Sequence, residues 1–226
     1  MSVQPMSERA RIVIVDDQAL YREGLIELFR RWDEFSIVGD ADSGEGAIEL
    51  CAQHRPDLVL LDVKMPNVDG IEACGVIRGR FPDTAVVMLS LYGEKERVLG
   101  AIANGADGYL LKSIHAKQLR SKLRSVLGGG GALSDEASSI CIEALRRLSF
   151  GIVDQKETNR LASLMTVHER EILRFVAVGA SNKEIADSLH ISESTVKKQL
   201  SQLMMKLGLA NRVQAAVFAL RSGLAQ

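Results

Sequence analysis

Five polar residues stand where four short apolar runs end, and their types suit phosphate chemistry. Ile12 to Val15 runs into Asp16 and Asp17, Leu58 to Leu61 into Asp62, Ala85 to Leu89 into Ser90, and Tyr109 to Leu111 into Lys112. A carboxylate such as that of Asp62 can attack phosphorus and form an acyl phosphate. The adjacent Asp16 and Asp17 suit a hard divalent cation, best matched by Mg2+, which takes carboxylates together with phosphate oxygens. Such an ion offsets the repulsion between aspartates and an incoming phosphoryl group. Lys112 brings a point charge and Ser90 a hydroxyl to the same oxygens. Behind Asp62, the stretch Lys64-Met65-Pro66-x-x-Asp69-Gly70 forces a tight loop. One aspartate at the end of an apolar run is ordinary loop composition. The whole set, each at its own run, is a site.

The elements that must position these groups follow from periodicity. Strands are expected near 12–16, 35–40, 58–62, 85–90 and 108–111, and helices near 19–32, 44–54, 70–80, 94–104 and 115–127. Short apolar runs alternating with amphipathic stretches make a βαβ series. The result is an α/β doubly wound, five-stranded parallel sheet with helices on both faces and right-handed crossovers. The carboxyl ends of its strands open on one edge, where ligands bind. Gly128-Gly129-Gly130-Gly131 then breaks the pattern. A helix-like stretch follows from Ser134 to Leu148, with Ile140, Leu145 and Leu148 on one face, and the polar segment Ser149 to Arg160 reads as a tether.

The C-terminal part is all-α. Thr166-x-x-Glu169 and Ser181-x-x-Glu184 are capping boxes, Ser192 can cap a third helix, and Asn211 with Gln214 opens a fourth. Gly179 and Gly208 stand where left-handed C-terminal caps belong. Four helices are expected, near 168–178, 182–189, 193–207 and 212–222. In the third, Val196, Leu200, Leu203 and Leu207 form one apolar stripe. Its other face carries Ser194, Lys197, Lys198, Ser201 and Gln202, with two cations near the helix N-terminus, as a helix that reads the major groove requires. Lysine reaches guanine edges or phosphate, and Gln or Ser reaches base edges or backbone.

Charge agrees with this division. Residues 1–130 carry 16 Lys/Arg against 19 Asp/Glu and residues 161–226 carry 8 against 5, so the end is mildly basic and the beginning acidic. A nucleic-acid contact therefore belongs at the C-terminus. Cys51, Cys74 and Cys141 lie in expected helices with no zinc-type spacing and no disulfide framework, which points to buried thiols in a reducing cytoplasmic compartment. No apolar stretch reaches the roughly 20 residues a bilayer span needs, and no apolar signal region is expected between Met1 and Arg11.

Two sets of motifs carry a family resemblance. Val15-Asp16-Asp17, Leu61-Asp62-Val63-Lys64-Met65-Pro66-x-x-Asp69-Gly70, Ser90 and Gly105-Ala106-Asp107-Gly108-Tyr109-Leu110-Leu111-Lys112 resemble the receiver domain of two-component response regulators. Leu164-x-Thr166-x-x-Glu169-Arg170-Glu171-Ile172-Leu173, Gly179-x-Ser181-Asn182-Lys183-Glu184-Ile185-Ala186, Ile191-Ser192-x-x-Thr195-Val196-Lys197, Lys206-Leu207-Gly208 and Asn211-Arg212 resemble the LuxR-type helix-turn-helix. The combination is that of the NarL/FixJ subfamily. The resemblance implies a flavodoxin-like receiver over 10–130, a linker with one helix over 131–160, and a four-helix DNA-binding domain over 161–226. It implies that Asp62 accepts phosphate from a sensor histidine kinase, with Mg2+ held by Asp16, Asp17, Asp62 and the Lys64 carbonyl. Ser90 and Tyr109 become a switch pair beside Lys112. Lys197, Lys198 and Ser201 become base readers, and Lys183, Thr195, Gln199 and Arg212 contacts to the backbone of double-stranded DNA. A cytoplasmic, non-enzymatic transcription regulator follows, homodimeric when phosphorylated on promoter half-sites, with RNA polymerase as a further partner.

Some positions depart from the family pattern. Leu91 stands where Ala or Gly is frequent, Val167 where Pro is usual, Gln199 where His or Arg is frequent, and Met204-Met205 where a basic residue is common. Lys64 and Tyr92 occupy positions that tune the acyl phosphate lifetime. Three other readings compete. An aspartate-nucleophile phosphohydrolase needs a second Asp two residues beyond the nucleophile, where this chain has Lys64. A regulator gated by interaction alone has no use for the acidic set. A LuxR regulator that senses a small molecule lacks that set.

Overall fold

The computed structural model describes residues 9–149, 160, 165–209 and 211–224. Five strands and five helices alternate as expected: β1 (Ala10–Val15), α1 (Ala19–Phe29), β2 (Phe35–Ala41), α2 (Gly44–His54), β3 (Leu58–Asp62), α3 (Gly70–Arg80), β4 (Ala85–Ser90), α4 (Lys95–Ala103), β5 (Gly108–Leu111) and α5 (Ala116–Leu127). These strands pair in parallel, in the order β2-β1-β3-β4-β5. Strand side chains alternate between faces. Val13 and Val15 point into a core with α2, α3 and α4, while Ile12 and Ile14 point into a second core with α1 and α5. A sheet covered on both faces explains why its strands read as continuous apolar runs.

The sixth strand corrects the five-strand expectation. β6 (Ala132–Leu133) pairs with Gly108 and Tyr109 at the start of the segment expected to be linker. Gly129, at φ +78°, helps turn the chain back, and Gly108 leaves room for β6: a Cβ there would lie 2.7 Å from the Ala132 carbonyl oxygen. The following helix, α6 (Asp135–Ser149), places Ala137, Ile140 and Cys141 in the α2–α4 core and pairs Glu143 with Lys95 of α4 at 3.1 Å. The expected tether lies outside the described residues between its ends, Ser149 and Arg160.

The C-terminal helices are α7 (Val167–Ala177), α8 (Asn182–Leu189), α9 (Glu193–Leu207) and α10 (Arg212–Arg221). Both capping boxes form in full, at Thr166/Glu169 and Ser181/Glu184. Ser192 and Asn211 cap α9 and α10, and Gly179 and Gly208 take left-handed conformations at φ +81° and +66°. Val196, Leu200, Leu203 and Leu207 are all buried in the separate core of this part.

Candidate functional site: an acidic pocket and a docked helix-turn-helix

Strand order reverses between β1 and β3, whose successors run to opposite sides of the sheet, so a crevice opens at their carboxyl ends. Asp16 and Asp17 follow β1 and Asp62 ends β3 there. Their carboxylate oxygens lie within 4.8 Å of one another, the set among the described residues that can hold a metal ion. Asp16 and Asp62 are buried and Asp17 is exposed, which leaves one open side. Hard oxygen donors on an open edge fit Mg2+, which keeps part of its water shell.

Lys112, carried in from the end of β5, lies 2.7 Å from Asp16 Oδ2 and 3.2 Å from Asp62 Oδ2. Gln18 N–H donates to Asp16 Oδ1 at 3.0 Å and Val63 N–H to Asp62 Oδ1 at 2.9 Å. Burial, then the Asp16 charge, push the Asp62 carboxyl up to about 6, against the pull of Lys112 and the Val63 N–H. The tight loop behind Asp62 is forced by Gly70: a Cβ there would lie 1.9 Å from the Asp62 carbonyl oxygen. Asp69 caps α3 by accepting from Ile71 N–H at 2.7 Å. A pocket of about 170 Å³ opens over Asp62, lined by Asp17, Lys64, Ser90, Leu91 and Lys112 among others. Lys64 itself pairs with Glu94 at 3.3 Å.

Ser90 is buried and donates to the Tyr92 carbonyl at 2.9 Å. Tyr109 is fully buried on β5, with its hydroxyl 3.1 Å from that carbonyl. Sequence reasoning missed Tyr21, whose ring lies beneath Lys112 with Nζ 4.7 Å from the centroid. Burial, then Asp16 and Asp62, raise its hydroxyl to about 12. It also missed Arg22, which donates to the Asp16 carbonyl at 2.6 Å and pairs with Asp40 at 2.9 Å. Neither Tyr21 nor Arg22 departs from the amphipathic pattern of α1, so the linear chain holds no signal for them.

At the other end of the molecule, Lys183, Lys197, Lys198 and Ser201 are exposed and Thr195 and Gln199 half-buried. Gln199 Oε1 lies 3.0 Å from His168 Nε2, and Thr195 Oγ1 2.7 Å from Ser192 Oγ. Arg212 is half-buried. It turns inward, donating to Asn182 Oδ1 at 2.9 Å and to the Ala180 carbonyl, and burial lowers its guanidinium to about 10. In this arrangement it ties α10 to α8.

The helix-turn-helix sits against the edge of the sheet opposite the acidic pocket. A cleft of about 900 Å³ there is lined by Arg11, Asp57, Asp83 and Asp107 from one side and by Lys197 and Ser201 from the other. Burial raises the Asp107 carboxyl, while Arg78, the Val86 N–H and then Lys197 act in the opposite sense. Gly129 touches Asn182, to the point that a Cβ would lie 1.9 Å from its Nδ2.

Residues 12–124 match the response regulator receiver domain, and residues 163–219 match bacterial regulatory proteins of the luxR family. The transcriptional regulatory protein DegU of Brevibacillus brevis is 33% identical over 99% of this chain and 98% of its own length. The nitrate/nitrite response regulator NarL of Escherichia coli K12 is 35% identical, covering 93% and 95%.

The chain belongs to the response regulator family.

More fully, this response regulator is a transcription regulator that joins a receiver to a LuxR-type DNA-binding domain, and it is not an enzyme. A solved structure of two RcsB dimers bound to DNA shares its fold, with a TM-score of 0.55 and 21% identity over 95% of this chain and 99% of that one. No single helix among the described residues of the response regulator is long and apolar enough to cross a membrane.

Proposed function

We propose that Asp62 is the phosphate acceptor and that its phosphorylation by a sensor histidine kinase governs sequence-specific DNA binding. The observation that carries this reading is the convergence of three carboxylates and Lys112 where the strand order reverses. An Asp62 oxygen forms the new O–P bond as the P–N bond to the donor imidazole breaks, and the imidazole leaves with a proton. Asp16, Asp17, Asp62 and the Lys64 carbonyl would hold Mg2+, which supplies charge neutralisation at the phosphoryl oxygens. Lys112 provides the protein's own cation for the same oxygens. Ser90 offers its hydroxyl, and leaving the Tyr92 carbonyl to do so shifts the balance at Tyr109.

Lys197, Lys198 and Ser201 on α9 are the base readers, and Lys183, Thr195 and Gln199 reach the backbone. Arg212 belongs to the same set, its charge near the turn while its hydrogen bonds hold α8. Lys197 and Ser201 line a cleft too small for a duplex. DNA therefore demands that the two domains separate, and a phosphorylation-dependent shift between closed and open forms supplies the control. The division is a receiver over 10–130, a connecting segment over 131–160 whose β6 and α6 pack on the receiver, and a DNA-binding domain over 161–226. The phosphorylated form is a homodimer on paired half-sites; RcsB, which shares the fold, was solved as dimers bound to DNA. It acts in the cytoplasm with RNA polymerase as a further partner.

The test is selection of random duplexes by the full chain with and without a small phosphodonor. The expected result is enrichment of a repeated half-site only with the donor. Equal enrichment by Asp62→Asn would overturn the assignment of the acceptor.

A further inference from the structure

The C-terminal end of α4 is finished by a residue from the other domain. Asn211 is fully buried, and its single side-chain amide works in two directions. Its Oδ1 accepts from Gln214 N–H at 2.8 Å and so caps α10. Its Nδ2 donates to the Ile102 carbonyl at 2.7 Å and the Ala106 carbonyl at 3.3 Å. Gln214 Nε2 adds contacts of 3.4 and 3.3 Å to the Ile102 and Ala103 carbonyls. Val213, between them, packs against the α2–α4 core of the receiver. The last carbonyls of a helix have no partner within it and carry its negative dipole end. Here those acceptors meet the N-terminus of α10, its positive end.

We propose that Asn211 is the latch that couples the phosphate site to the DNA-binding domain, with α4 as the rod between them. The proposal deepens the reading above and rests on it for what the two ends do. At its N-terminal end α4 begins with Lys95, three residues beyond Tyr92, whose carbonyl serves both Ser90 and Tyr109. Nine residues long, roughly 14 Å at 1.5 Å per residue, it ends beside the Ile102 carbonyl that Asn211 holds. A helix transmits a displacement of one end to the other, and hydrogen bonds fail within a few tenths of an ångström of stretch. A shift of α4 therefore withdraws the acceptors, the amide loses its partners, and α9 is freed from the cleft. Linkage runs the other way with equal strength: whatever opens the latch favours the phosphorylated arrangement of α4.

The capping and latching roles separate in Asn211→Asp. A carboxylate still accepts from Gln214 N–H and is a good N-cap, but it has no donor for Ile102 and Ala106 and repels the dipole end of α4. Asn211→Ser keeps the N-cap without adding charge, and its hydroxyl, one atom shorter than the amide, does not reach the Ile102 and Ala106 carbonyls while it caps α10. In the unphosphorylated full chain, both variants are expected to raise amide exchange at Asn104–Asp107 about tenfold and to enlarge the radius of gyration in X-ray scattering. Both are expected to bind the selected duplex, and beryllofluoride with Mg2+, each about tenfold tighter than wild type. Wild-type exchange, scattering and duplex affinity in both variants, beside tight duplex binding by phosphorylated wild type, would overturn the latch and leave the DNA reading intact. Faster exchange and expansion in the variants, with no duplex bound even by phosphorylated wild type, would leave the latch standing and remove the DNA reading.

Discussion

Ser90 and Tyr109 share one acceptor, the carbonyl oxygen of Tyr92, at 2.9 and 3.1 Å. On the proposed reading, a phosphoryl group on Asp62 would compete for the Ser90 hydroxyl and leave Tyr109 as the remaining donor. Ser90→Ala is therefore expected to keep labelling by a small phosphodonor while the donor-induced gain in duplex affinity falls to near one-fold. Tyr109→Phe removes the other bond at a cost of about 1 kcal/mol, read in urea denaturation. A Ser90→Ala variant with the full donor-induced gain would sink the shared-acceptor switch.

Asp62 is a strained acid. Its carboxyl ordinarily titrates at 3.8 and is raised to about 6 in the folded state, by burial first and the Asp16 charge second. The folded protein thus binds more protons than the unfolded chain across that window, so stability falls as pH rises from about 4 to about 6 and the penalty is complete above it. Two units correspond to about 3 kcal/mol. In metal-free buffer at pH 7.5, Asp62→Asn should lose labelling yet unfold at higher urea than wild type, with the gain gone at pH 4. Equal midpoints at both pH values would show that Asp62 is not destabilised.

Divalent metal held by the proposed acidic site would relieve the same repulsion. A ligand that binds only the folded state stabilises it in proportion to the logarithm of its concentration over the dissociation constant. Millimolar Mg2+ should raise the melting temperature of wild type but not of Asp17→Asn, which keeps the buried Asp16 and Asp62 in place. Calorimetric scans with and without chelator decide this, and an equal rise in the variant would exclude Asp17 as a ligand.

Gly70 fits only because it lacks a side chain. Gly70→Ala would put a Cβ 1.9 Å from the Asp62 carbonyl oxygen, so the loop must shift. Forced overpacking of this kind costs about 1–3 kcal/mol, and the phosphodonor labelling rate should fall because the acceptor moves with the loop. Gly79, where a Cβ has open space, provides the control. Labelling and stability unchanged in Gly70→Ala would refute the close approach.

The α9 surface should separate binding from folding. Lys197→Ala and Lys198→Ala leave the buried stripe untouched and are expected to keep labelling and melting temperature while weakening duplex affinity about tenfold. Each should also reduce the salt dependence of binding by about one counterion. Leu200→Ala, which truncates the stripe, should destabilise by about 2–5 kcal/mol. Unchanged affinity and salt slope in both lysine variants would remove them from the DNA contact.

The linear chain determined the parts of this protein that local physics controls. Strands buried on both faces must be continuous apolar runs, so their ends, and with them Asp16, Asp62, Ser90 and Lys112, could be located by eye. Capping boxes and the 3.6-residue stripe of α9 are likewise written within a few residues, and all four stripe residues are buried. Tertiary structure decided what depends on distant segments meeting. The two residues of β6 have no periodicity of their own and become a strand because Gly108 lets them approach. Tyr21 supports Lys112 from 91 positions away, and Arg212 turns inward because Asn182 and Ala180 offer oxygens there. Asn211 could be recognised in sequence as a cap, because its acceptor serves a residue three positions on. That its donor holds α4 could not be, because those carbonyls lie more than 100 residues earlier and only the docking of one domain on the other brings them within reach.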